Sequence, residues 1–156
     1  MIELLVVISI IGILAGIILV GLNLARDRAR DARVKEELGN MRAAMEIYYL
    51  TNKTYYIDSD NRACVDPDVV KITDSLSSIA PNSGCQENTD NGSSWIGIAQ
   101  LPSDDQPILI ADPDGGGGIV VNPDADVWCV DNSGFSGRVS GADMMQVLTL
   151  KACRVN

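Results

Sequence analysis

The stretch MIELLVVISIIGILAGIILVGLNLARDRARDARVKEELGNMRAAMEIYYL (1–50) decides the fold, because no proline or turn cluster interrupts it and its pattern changes only once. From Met1 to Leu22 only Glu3 and Ser9 are polar, glycines aside. At 1.5 Å rise per residue such a helix reaches about 33 Å, enough to cross a bilayer core. No basic stretch precedes the run and no small-residue cleavage site ends it, so it does not read as a secretory signal. From Leu22 onward, Ala25, Ala29, Ala32, Leu38, Met41, Met45 and Tyr48 recur at mostly three- and four-residue spacings. That is an amphipathic helical stripe, with charges on the opposite face. Asp27 with Arg30 and Asp31 with Lys35 are spaced for ion pairs. The pattern predicts one helix from near Met1 to about Leu50, roughly 75 Å long.

TNKTYYIDSDN (51–61) ends the pattern with turn formers, and the chain then becomes rich in Asp, Asn, Ser, Gly and Pro. Short apolar runs follow at 94–101, 107–112, 118–122, 126–131 and 145–153. Runs of this length, β-branched and bounded by Pro, Gly and Asp, predict strands of an antiparallel sheet. DSLSSIA (74–80) reads as a short helix or turn. The predicted architecture is α+β, a long N-terminal helix packed on a small antiparallel sheet. Residues 1–22 form its apolar half, 23–52 its amphipathic half, and 53–156 an acidic globular domain. Residues 1–50 hold six basic and six acidic groups, so the net charge of −9 falls entirely on the remainder. That balance favours solubility and disfavours a nucleic-acid-binding globular domain.

Four cysteines, Cys64, Cys85, Cys129 and Cys153, lie outside the apolar run, none in C-x-x-C spacing, and the chain has no histidine. A zinc site would need all four thiolates at unusual spacings, so two disulfides in an oxidising compartment are the better reading. Of the three pairings four cysteines allow, Cys64–Cys85 with Cys129–Cys153 is favoured. Each bridge would close a loop of twenty-odd residues and add about 3–4 kcal/mol. Asp112, Asp114, Asn122, Asp124 and Asp126 flank a glycine run and are oxygen ligands of the kind calcium takes. Their spacing is not an EF-hand, and solvated Asp-Pro and Asn-Pro turns are the plainer reading. The sequons at Asn52 and Asn91 read as chance matches. Tyr48, Tyr49, Tyr55 and Tyr56 are expected to pack where helix meets sheet, with Trp95 and Trp128 in the core. No nucleophile motif or phosphate loop is present, so the expectation is a non-enzymatic protein with no cofactor.

IELLVVISIIGILA at the start of a long helix ending MRAAMEIYYLTNKTYY resembles the type IV pilins and the type II secretion pseudopilins. In that family a leader is cut, usually before Phe-Thr-Leu-Ile-Glu, and the new amine is methylated. Met1, Ile2 and Glu3 correspond to the last three residues of that start, which implies a natural chain extending ahead of Met1. The resemblance implies a disulfide-stabilised pilin fold, with Cys129–Cys153 placed like a C-terminal pilin disulfide loop. It implies a subunit that waits in the cytoplasmic membrane and polymerises into a surface filament. Its partners would be further copies, a prepilin peptidase and a pilus assembly machine. A pseudopilin of protein export, a tip-located minor pilin or adhesin, and a single-pass receptor that never polymerises are the alternatives.

The resemblance gives Glu3 a role that physics supports. A carboxylate in lipid costs up to about 3 kcal/mol, and a terminal amine about 4 Å away returns about 4 kcal/mol at an effective dielectric near 20. Between helices offset along an axis that contact is natural, so Glu3, with the terminus near Met1, would select the register of an incoming subunit. The plainer reading is a glutamate that reaches for the headgroups. Gly12 and Gly16 make a G-x-x-x-G that suits close helix approach. Leu4, Leu5, Val6, Val7, Ile8, Ile10, Ile11, Ile13 and Leu14 would fill the filament core.

Overall fold

The computed structural model describes residues 2–104 and 125–153, and the side chains of all of these except residues 2, 19–21, 24 and 145. Helix α1 runs unbroken over Ile2–Asn52, two residues past the predicted end. It stops at Lys53, which takes a left-handed φ of 61° and donates its N–H to the Tyr49 carbonyl at 2.7 Å. A short 3₁₀ turn (Ala63–Val65) leads into α2 (Pro67–Ile79). Asp66 caps α2 by accepting from the Asp68 N–H at 3.0 Å, with Pro67 in the first turn where its missing donor is not needed. DSLSSIA is thus the end of a helix that begins at a proline-marked start the sequence reading passed over.

Four strands follow: β1 (Ser83–Glu87), β2 (Trp95–Gln100), β3 (Asp126–Asp131) and β4 (Ser136–Ser140). They pair antiparallel in the order β1-β2-β3-β4, with Cys85 opposite Gly97, Ile98 opposite Cys129 and Val127 opposite Val139. The α+β architecture is therefore as expected, with β2 and β3 where their apolar runs lie. Strands β1 and β4 carry too few apolar residues to announce themselves; only Val139 of β4 is buried. The runs at 107–112 and 118–122 lie outside the described residues.

The run at 145–153 is not a strand. Its first part belongs to helix α3 (Gly141–Leu150), which ends at Lys151 in a left-handed conformation. Met144, Val147 and Leu148 face the sheet at a three-to-four-residue spacing. A short apolar run fits either period, and here the helical one prevailed.

Alternation along the strands builds a core on each face of the sheet. Trp95, Ala99 and Val130 join Val34, Leu38, Met41 and Met45 of α1 and Val69 and Leu76 of α2. Ile96, Ile98, Val127 and Cys129 join Met144, Val147 and Cys153 beneath α3. Both favoured disulfides are present, Cys64–Cys85 tying the 3₁₀ turn to β1 and Cys129–Cys153 tying β3 to the segment after α3. Asp131 reinforces the second. Its Oδ1 accepts from Ser133 N–H and Oγ–H and from Phe135 N–H, shaping the β3–β4 turn, and its Oδ2 accepts from Cys153 N–H at 2.8 Å.

Several side chains sit differently from the sequence expectation. Of the predicted stripe only Leu38, Met41 and Met45 are buried and Tyr48 is half-buried, while Leu22, Ala25, Ala29 and Ala32 are exposed and Val34 joins the core. Asp31 does not pair with Lys35: its carboxylate takes Ser103 N–H at 3.0 Å and Oγ–H at 2.5 Å, and Lys35 lies 4.4 Å over the Trp128 ring. Trp128 is half-buried rather than core, its indole N–H donating to Ser136 Oγ at 3.1 Å. Trp95 and Tyr55 are fully packed, and Tyr49 stacks on Tyr55 with ring centroids 4.8 Å apart.

Candidate functional site

The apolar half of α1 is the feature that asks for a partner. Leu4, Leu5, Val6, Val7, Ile8, Ile10, Ile11, Ile13 and Leu14 are all exposed, from 51% at Val7 to 71% at Leu4. Ile17 and Ile18 extend the same surface and were missed only because the expected core set stopped at Leu14. These positions cover every side of the helix, so no rotation about its axis can hide them against one flat surface. Completing their burial is worth on the order of 10–20 kcal/mol at about 1.5–3 kcal/mol per large side chain, scaled to the half still exposed. Exposed apolar surface of this extent marks an interaction site.

Polar groups in this stem are few. Ser9 satisfies its own hydroxyl by donating to the Leu5 carbonyl at 2.7 Å, a bond that survives removal from water. Glu3 is exposed in the first turn, on the helical face of Val6, Val7 and Ile10, and among the described residues no ion pair involves it. A Cβ added at Gly12 or Gly16 would meet nothing within 4 Å, so packing inside the chain does not require glycine at either place. The two lie one turn apart and leave a shallow notch open to a neighbouring backbone. Met1 lies outside the described residues. Among the described residues no helix is long and apolar enough to cross a membrane. In the sequence, Glu3 and Ser9 are the only polar residues besides glycine from Ile2 to Leu22, all within α1.

Below the stem the helix turns basic. Arg26, Arg28, Arg30 and Arg33 are exposed, and no ion pair among the described residues engages them. The head begins where Asp31 grips Ser103 and Val34 enters the core. Arg42 ties α1 to the β3–β4 turn by donating to the Phe135 carbonyl. A second, smaller set of exposed apolar side chains, Ile47, Leu50, Ile57, Val65 and Val70, surrounds the end of α1 and the start of α2.

Among the described residues the head offers shallow grooves. One of about 370 Å³ lies between α1 and the start of α2, bordered by Ile47, Tyr48, Asp66 and Asp68. Another of about 540 Å³ is bordered by Arg30, Arg33 and Ile79. Among the described residues, the perturbed ionisations have structural explanations. The Tyr55 hydroxyl is pushed up to about 12 by burial, by its 2.9 Å hydrogen bond to Glu46 and by that carboxylate's charge. Lys151, which donates to Gln86 Oε1 at 2.6 Å, is lowered by burial against the opposing pull of Glu87. The side-chain amide of Asn61, with backbone N–H groups of Asn61 and Asp60, holds Asp58 below the usual carboxylate range.

Of the five oxygen ligands weighed for calcium, Asp112, Asp114, Asn122 and Asp124 lie outside the described residues. Asp126 spends its carboxylate on Arg138 at 2.6 Å. Cys64, Cys85 and Glu87 do converge, their ligand atoms all within 4.8 Å of one another, but the sulfurs are joined to each other. Asn52 donates its amide back to the Tyr48 carbonyl, and Asn91 Oδ1 accepts from Ser93. Set against protein-family models, curated proteins and solved structures, the chain matches none of them.

Proposed function

We propose that this chain is a structural subunit that polymerises through its N-terminal helix into a surface filament of the type IV pilus kind. One observation carries the reading: a helix with apolar side chains exposed on every side, continuous with a helix half built into a disulfide-stapled head. Such a stem exchanges one apolar environment for another, because leaving it in water forfeits on the order of 10–20 kcal/mol. Lipid serves before assembly, and a bundle of identical stems serves after it. The open notch at Gly12 and Gly16 lets a neighbouring stem approach closely. Glu3, the lone acid of the stem, is satisfied by the terminal amine of another copy and so sets the axial step. As the resemblance implies, the head lies outside the cytoplasmic membrane and an assembly machine draws the stem out of it. Catalysis has no part in this reading.

Electron microscopy of sheared surface fibres, with mass spectrometry of their N-terminal peptide, tests the proposal directly. Long fibres built from this chain are expected. Glu3→Ala is expected to insert in the membrane normally and to yield no fibres, or to poison assembly in mixtures with the native chain. A full-length protein that stays solitary in the membrane would refute the filament reading, and abundant normal fibres made from Glu3→Ala alone would refute the register role.

A further inference from the structure

We propose that reduction of the Cys64–Cys85 disulfide opens a site for a zinc-class divalent ion, held by the two thiolates and Glu87. This site belongs to the head and is independent of how the stem is used. Cys85 and Glu87 are two apart on β1, so both point to the same face of the strand, where the 3₁₀ turn presents Cys64. Their sulfur and oxygen ligand atoms already lie within 4.8 Å of one another. The ligand supply is the reason to look further. Glu87 is almost fully buried, with a side chain only 2% exposed. Its Oε1 accepts from Arg62 at 3.0 Å, yet its Oε2 is buried with no hydrogen-bond partner among the described residues. A buried carboxylate oxygen left unsatisfied is uncommon and calls for an occupant.

Charge and geometry both suit a divalent ion of intermediate softness. Two thiolates and one carboxylate bring three negative charges, and the ion with the Arg62 guanidinium brings three positive ones. The half-exposed Arg62 and the nearby Lys151 thus offset the one negative charge that three anionic ligands leave on a divalent ion. Thiolate with carboxylate is a donor set for zinc or cadmium rather than calcium or magnesium, and three protein ligands leave a fourth, tetrahedral position to water. Arg62, bonded to the other carboxylate oxygen, orients the ligand as an outer-shell partner does.

The chemistry balances with a dithiol as reductant. It transfers two electrons to the Cys64–Cys85 bond, which breaks into two thiols as the reductant closes its own disulfide. The incoming ion displaces the two thiol protons; in reverse, a small-molecule disulfide takes two electrons from the thiolates and two protons from water to become a dithiol, rejoining Cys64 to Cys85 and expelling the ion. Cys64 and Cys85 are half-buried, whereas Cys129 and Cys153 are buried, so the first bridge is the one a reductant reaches.

The test uses the full chain in detergent micelles, reduced with a dithiol, freed of reductant without air and titrated with Cd²⁺. Uptake of one equivalent with thiolate-to-cadmium charge-transfer absorbance is expected, and no such band in the oxidised protein. Glu87→Gln should weaken uptake by about tenfold or more, since loss of even an outer-shell partner weakens a metal site by about that much. Should that variant fold poorly, alkylation of the native chain gives a second reading: Cd²⁺ should shield Cys64 and Cys85 and leave Cys129 and Cys153 unaffected. The proposal is overturned by no uptake, by uptake indifferent to Glu87→Gln, by shielding of the wrong pair, or by collapse of the head on reduction.

Discussion

Gly97 sits at the centre of β2 where α1 crosses the sheet, and its replacement by alanine gives the most direct test of how the head is packed. A Cβ at that position would lie 2.7 Å from Met41 Sδ, 3.1 Å from Val130 Cγ2 and 3.4 Å from Leu38 Cδ2. Unstrained carbon contacts need about 3.5–4.0 Å, so the helix or the methionine must give by about 1 Å. Val130 is β-branched and stiff, which leaves Met41 to move. Overpacking of this size costs about 1–3 kcal/mol. Met41→Ala alone leaves a cavity at a fully buried position and costs about 2–5 kcal/mol. In the double variant the new methyl occupies part of that cavity, so the two effects should fall short of additivity by about 1–3 kcal/mol. Urea unfolding of the detergent-solubilised chain, followed through the fluorescence of buried Trp95, reads these values if the m-values stay constant. A neutral Gly97→Ala, or strict additivity in the cycle, would refute the contact between helix and sheet described here.

Gly12→Leu or Gly16→Leu should leave the unfolding of the head unchanged while abolishing fibres, because among the described residues nothing lies within 4 Å of a Cβ at either position; microscopy and unfolding of the same preparations check it. Tyr55 keeps its proton up to about 12 in the fold but only to about 10 when unfolded. Its contribution to stability is therefore complete below pH 10 and falls as the pH rises from about 10 to about 12, by on the order of 2 kcal/mol. Tyr55→Phe should flatten that part of the alkaline unfolding profile. Replacing Cys129 and Cys153 together by serine should cost about 2–5 kcal/mol, and adding Asp131→Ala should cost less than it does alone, since both hold Cys153.

The long helix was legible in the sequence because its signal is long: an apolar run and then a stripe, with no proline to end it. The two disulfides were legible because both close loops between neighbours in the chain. Strands β1 and β4 were not, since SGCQE and SGRVS are made of small and polar residues whose extended form is imposed by pairing with β2 and β3. Helix α3 was misread because an apolar run of its length carries either period equally well. The exposed apolar side chains of the stem were legible because they form a nearly unbroken run in the sequence. Glu87 was invisible there, since nothing in the one-dimensional pattern distinguishes a buried glutamate beside a disulfide from a solvated one on a strand.

The absence of any break in α1 between Ile2 and Asn52 makes the stem and the head a single crankshaft. Each residue turns the helix by about 100°, so the direction in which the head faces is locked in phase with the faces of the stem. Removing seven residues from the exposed stretch between them would restore the phase to within about 20°, whereas removing five would swing the head through about 140°. A filament whose heads must meet as well as its stems should tolerate the first change and fail with the second, even though the second shortens the rod less.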